Sequence, residues 1–192
     1  QGAAARMSIG SELLSLEKYD AQWRALVVAV RARFHGKLVY SANWDHFDAV
    51  PFWDVVDEAG VTGYFELAPD DALPSDAALD AAWGGPRASL VALAERAKKP
   101  LVVTEIGYPA VKGAAHHPWD ETAGGVVDEA GQARLLAAFC RAFSSAKLVD
   151  GFYVWNWFPG ACSPRGRPAQ RAVEQCNRTW PKTGERGVAR SP

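Results

Sequence analysis

Two hydrophobic periods take turns along this chain. Compact apolar runs such as Leu38-Val39-Tyr40-Ser41-Ala42 and Leu101-Val102-Val103 read as buried strands. Between them, Tyr19, Trp23, Leu26, Val27, Val30 and Phe34 recur at helical spacing, with charges filling the gaps. The pattern predicts strands over 7–12, 37–43, 61–67, 101–105 and 149–157. It predicts helices over 17–33, 52–57, 89–99, 129–144 and 168–177, with a further helical piece broken near a turn at Gly84-Gly85-Pro86. Residues 1–178 then form one domain, and residues 179–192 a polar, flexible tail.

Strictly alternating strands and helices argue an α/β fold, a parallel sheet covered by helices. The predicted strands end in chemistry-bearing residues: Glu12, Asn43, Tyr64, Glu105 and Trp157. That is the habit of a (β/α)8 TIM barrel, whose site is built at the carboxyl ends of the strands. Five strands are about three short of eight, so the expectation is the C-terminal part of a barrel, strands four to eight. Two unpaired parallel edges would be an aggregation liability, which predicts another chain or a second copy completing the barrel.

Composition narrows the classes. The chain has 192 residues, 48% of them apolar, and a net charge of −1. It is long enough for one real core, and nothing in the charge balance points to nucleic acid. No apolar run reaches membrane-spanning length, so no membrane partner is expected. Eight Trp is a high count; most belong in a core, and two or three suit a carbohydrate cleft. Of the three cysteines, Cys140 falls in an apolar helical pattern and reads as a small core residue. Cys162 and Cys176 flank a loop and are the candidate disulfide if the compartment is oxidising.

The chemistry centres on two stretches of one form. Leu101-Val102-Val103-Thr104-Glu105 and Met7-Ser8-Ile9-Gly10-Ser11-Glu12 are short apolar runs ending in a carboxylate. A carboxylate at the exit of a buried strand is costly unless something pairs it or uses it. Two such groups at the same end of one sheet are what glycoside hydrolysis requires. The structural alternative is that each glutamate pairs with an Arg or Lys. His116-His117 and the Asp45, His46, Asp48 group fit no standard metal spacing and read as polar loops. Asp70-Asp71 reads as solvated surface.

Six segments in order resemble glycoside hydrolase family 113, the β-mannanases, within the retaining (β/α)8 clan. They are Ile9-Gly10-Ser11-Glu12-Leu13, Tyr40-Ser41-Ala42-Asn43-Trp44, Val50-Pro51-Phe52-Trp53-Asp54, Gly63-Tyr64-Phe65, Thr104-Glu105-Ile106-Gly107-Tyr108 and Pro164-Arg165-Gly166-Arg167-Pro168-Ala169. The resemblance implies a retaining endo-β-mannanase acting on β-1,4-mannan, with Glu12 as acid/base, Glu105 as nucleophile and no cofactor. It implies sugar contacts from Ser11, Asn43, Trp44, Tyr64, Trp119 and Trp157, with Tyr64 donating a hydrogen bond to Glu105. Glu12 is expected to rest protonated, raised by burial or by the charge of Glu105. Many members of the clan place Asn where Ser11 stands, so the contact to the sugar 2-hydroxyl is the open point. A polysaccharide-degrading role favours a secreted or cell-envelope location. The alternative is a non-catalytic carbohydrate-binding or phage-tail-like barrel domain.

Overall fold

The buried runs at 38–42 and 101–103 lie inside one parallel sheet. The structure, a computed structural model, describes residues 4–122, 124–144, 149–156 and 167–180. Its elements are β1 (Arg6–Ser11), α1 (Leu14–Glu17), α2 (Asp20–Arg31), β2 (Lys37–Ala42), β3 (Glu58–Thr62), α3 (Asp76–Ala82), α4 (Gly84–Ala97), β4 (Leu101–Ile106), α5 (Glu129–Phe143), β5 (Val149–Val154) and α6 (Arg167–Thr179). All neighbours are parallel and the spatial order is β1-β2-β3-β4-β5. Sequential parallel strands with helical crossovers are the unit of a (β/α)8 barrel. The fold is α/β, five consecutive strands of such a barrel, the part numbered four to eight above.

The core lies between the sheet and its helices. Trp23 of α2 stacks on Phe52 at 4.9 Å between centroids and meets Tyr40 edge-on at 5.0 Å. Trp83 touches Phe139 and Phe143 of α5 at 5.7 and 5.4 Å, also edge-on. These offset geometries suit the ring quadrupoles and bury large apolar areas. Capping marks the helix starts: Ser75 accepts from the Ala78 amide and Asp128 from the Gly131 amide.

At the N-terminal end of the sheet the interior is charged. Glu58 is fully buried, which is tolerable only because Arg6 and Lys37 pair with it. Lys37 also reaches Asp150 at 3.1 Å, and the Arg6 guanidinium donates to the Tyr153 hydroxyl at 2.7 Å. The cluster joins β1, β2, β3 and β5.

Several expectations shift. The third strand spans 58–62 rather than 61–67, so Tyr64 lies past its end. The helix expected over 17–33 is two helices that part at Lys18–Tyr19. Gly84-Gly85-Pro86 is the first turn of α4, where Pro lacks only an orphan donor, and not a separate turn. The residue 52–57 helix is a 3-10 turn at Trp53–Val55. Cys176 bonds to Cys140, not to Cys162, because α5 and α6 pack side by side and bring the two Cα atoms to 5.5 Å; Cys162 lies outside the described residues. α6 runs to Thr179, and Trp180 stacks on Phe139 at 5.8 Å, so order continues past residue 178. Pro164-Arg165-Gly166 and the rest of the tail lie outside the described residues.

Candidate active site

Both strands that end in a candidate glutamate carry a bulge just ahead of it. From Ser8 to Ser11, β1 advances three residues while β2 advances two, Val39 to Ser41. From Val103 to Glu105, β4 advances two while β3 advances one, Val61 to Thr62. One extra residue re-aims everything after it. Without it, strict alternation would put Glu105 on the face of Leu101 and Val103, which belongs to the apolar core. Gly10 sits in the first bulge, where a Cβ would meet the Trp23 ring at 2.9 Å.

Glu12 follows with φ +53°, a left-handed conformation rare outside glycine. Two bonds hold it: its amide donates to the Ser41 carbonyl at 2.8 Å, and the next amide, of Leu13, donates to the Tyr40 hydroxyl at 3.2 Å. Its side chain is exposed.

Glu105 is partly buried, and its carboxylate accepts from the Tyr64 hydroxyl at 2.9 Å. Burial pushes its pKa above the ordinary value, the Tyr64 bond pulls it down, and the Glu12 charge pushes it up again. A hydrogen bond from Ser11 lowers it and the charge of Glu121 raises it. The Tyr64 hydroxyl is itself pushed far up, by burial first and by Glu105 next, so it stays a donor. Among the described residues neither Glu12 nor Glu105 forms a salt bridge, which disfavours the structural alternative.

The two carboxylates line one open cleft of about 820 Å³ at the carboxyl ends of the strands, together with Asn43, Trp44, Tyr64 and Trp119. Trp44 packs edge-on against Phe65 at 5.7 Å, and Trp119 is about half exposed on its loop. The Asn43 side-chain oxygen is buried and has no partner. Ser11 is not in the cleft wall. Trp157 lies outside the described residues.

Two residues were not anticipated. Trp155 follows β5, is about half exposed in the cleft, and its indole N–H donates to the Glu121 carboxylate. Gly107 lets the two strand ends meet: a Cβ there would lie 1.9 Å from the Trp155 carbonyl oxygen. Glu121 sits in a loop with no periodic signal. His116 and His117 stack at 3.8 Å and face Asp71 and Glu66. Among the described residues no group of three or more His, Cys, Asp or Glu is placed to hold a metal. None of their helices is long and apolar enough to cross a membrane.

The model of Glycoside Hydrolase Family 113 matches residues 2–171. The chain belongs to glycoside hydrolase family 113. A family 113 β-mannanase from Alicyclobacillus acidocaldarius, solved in complex with ManMIm, is similar at 25% identity and TM-score 0.77, over 92% of this chain and 56% of that one. A second family 113 structure, a β-1,4-mannanase, has TM-score 0.78 at 22% identity, over 91% of this chain and 56% of the other. A β-D-glucuronidase from Dictyoglomus thermophilum shares the fold at 16% identity and TM-score 0.66, over 94% of this chain and 33% of its own. The chain thus spans a little over half the length of the family 113 structures. Comparison with curated protein sequences finds no match.

Proposed function

We propose that the protein is a retaining glycoside hydrolase that cleaves β-1,4-mannan or a related β-linked glycan internally. The observation that carries this reading is one cleft holding Glu12 and Glu105, with Tyr64 bonded to Glu105. In this reading Glu105 attacks the anomeric carbon and forms a glycosyl ester. Glu12 gives a proton to the leaving oxygen, then takes one from the water that cleaves the ester. Burial works against an ionised Glu105, and the Tyr64 and Ser11 hydroxyls offset it.

Ser11 is absent from the cleft wall, so the sugar 2-hydroxyl falls to another group. Asn43, which lines the cleft, suits that role. Trp44, Trp119 and Trp155 offer stacking faces. The Cys140–Cys176 bond supports an oxidising compartment, in keeping with a secreted or cell-envelope enzyme.

β1 has one strand neighbour among the described residues, and Met7 on it and Leu13, Leu14 and Leu16 just after it are exposed. We assign this edge to the remaining strands of the barrel. A second copy pairing there would show as a dimer in light scattering.

The test is hydrolysis of a mannan and glucan panel by the complete protein and by its Glu105→Gln variant. The expected result is mannan cleavage abolished by the substitution. Equal activity of the two sinks the assignment of Glu105. Tight glycan binding without cleavage by either moves the protein to the binding-domain class.

A further inference from the structure

Behind Glu12, away from the cleft, lies a pair of buried polar side chains that the proposed chemistry does not use. Tyr40 is fully buried and Glu17 is 2% exposed. The Tyr40 hydroxyl donates to Glu17 Oε1 at 2.7 Å and accepts the Leu13 amide at 3.2 Å. Glu17 Oε2 is buried without a hydrogen-bond partner, with His46 Nε2 3.6 Å away. Two buried polar groups, one incompletely satisfied, cost more than an apolar pair of the same size. Trp23 and Phe52 already fill the space around Tyr40 with rings, so packing alone does not call for a hydroxyl.

The geometry points to Tyr40 and Glu17 as positioning residues for Glu12. A hydroxyl has one proton. Glu17 accepts the hydrogen bond that this proton makes, which turns the Tyr40 lone pairs toward the Leu13 amide. The Leu13 amide closes the peptide that follows Glu12, so its bond fixes the left-handed residue from the C-terminal side. The Glu12 amide on Ser41 fixes it from the other. α1 supplies Glu17 and starts at Leu14, so the same short helix that follows the acid/base residue carries the group that orients its anchor. The hydroxyl is pushed above its ordinary range by burial and by Glu17, which keeps it protonated and donating. Glu105 lies inside β4, where the Gly63 amide donates to its carbonyl at 2.7 Å, and its carboxylate is bonded by Tyr64 as well.

This inference rests on the hydrolase reading, and the test separates the two. In the complete protein, kcat/KM is compared for a β-mannan oligosaccharide, whose leaving group needs a proton, and a 2,4-dinitrophenyl β-mannoside, whose leaving group does not. Tyr40→Phe is expected to lower the first roughly 10- to 100-fold and to leave the second within about threefold. Glu17→Ala acts in the same direction and serves if Tyr40→Phe does not fold. Glu17→Gln, which can still accept from Tyr40, should restore most of what Glu17→Ala loses. Equal losses on both substrates, or none on either, overturn the positioning role and leave the hydrolase reading standing. A wild type inert on both substrates overturns the hydrolase reading, and this one with it.

Discussion

Glu12 and Glu105 end strands of one sheet, each behind a one-residue bulge, yet they are held in opposite ways. Glu105 lies among groups of this chain: Tyr64 bonds its carboxylate, and β3 and β5 flank its strand. Glu12 is exposed, on a strand with a single neighbour among the described residues, and it is its backbone that their hydrogen bonds tie down. The bulge aims a carboxylate; the neighbours decide how tightly it is held. A nucleophile needs a fixed, ionised carboxylate. A group that must gain and lose a proton each cycle needs a fixed backbone and a side chain with fewer bonds.

That contrast can be broken by experiment. The largest effect belongs to the side chains themselves. Glu105→Gln should reduce hydrolysis by at least about a thousandfold whatever the leaving group. Glu12→Gln should cost on the order of 10²–10⁴ on natural glycosides and far less on activated ones. If both variants lose activity equally on both substrates, the division of roles is wrong.

The next effect concerns the frame on the Glu105 side. The Cys140–Cys176 bond ties α5 to α6 across 36 residues of sequence. Removing it with paired Ser substitutions should cost roughly 3–4 kcal/mol in denaturant unfolding. Hydrogen exchange should rise in α5, α6 and β5 before it rises in β1 and β2. A uniform rise would deny that the two sides differ.

Tyr64→Phe takes one bond from the Glu105 carboxylate. That bond lowers the Glu105 pKa, so its loss raises it, and the acid limb of kcat/KM should move to higher pH. The loss at neutral pH should be roughly 10-fold. An unmoved acid limb would mean that Tyr64 does not tune the nucleophile.

The smallest effect is on stability. A carboxyl raised by burial costs folding free energy above its folded pKa, where it is ionised in both states. Glu105→Gln should therefore unfold later than wild type at neutral pH. The gain should shrink as the pH falls through the folded pKa, and vanish below the unfolded value. Thermal melts at three pH values read it.

The sequence carried the element order and both glutamates, because period-2 runs ending in a carboxylate are local signals. β2 and β4 lie within a residue of where the apolar runs put them. β3 does not, because a fully buried glutamate opens it and reads as surface. The apolar Gly63-Tyr64-Phe65 that follows then looks like the strand. The bulges were not legible, since an extra residue shows only against the neighbouring strand. Nor was the Cys140 partner, which depends on α5 lying beside α6. Asn43, Trp44, Tyr64 and Trp119 do line the cleft, while Glu121 enters it from a loop whose course the sequence does not state.

The charge cluster around Glu58 has a mechanical side. It ties β1 to β5, the two outer strands of the sheet, at the end opposite the cleft. β1 is six residues long, so a hinge at the Arg6 tie would lie about 20 Å from the Glu12 end. A tilt of about 5° at the hinge carries the far tip through roughly 1.7 Å over that length. A retaining pair tolerates a window of only about 0.5 Å between its carboxyls. Arg6, which touches no part of the cleft, thus sits at the short end of a lever whose long end sets the spacing of the two glutamates.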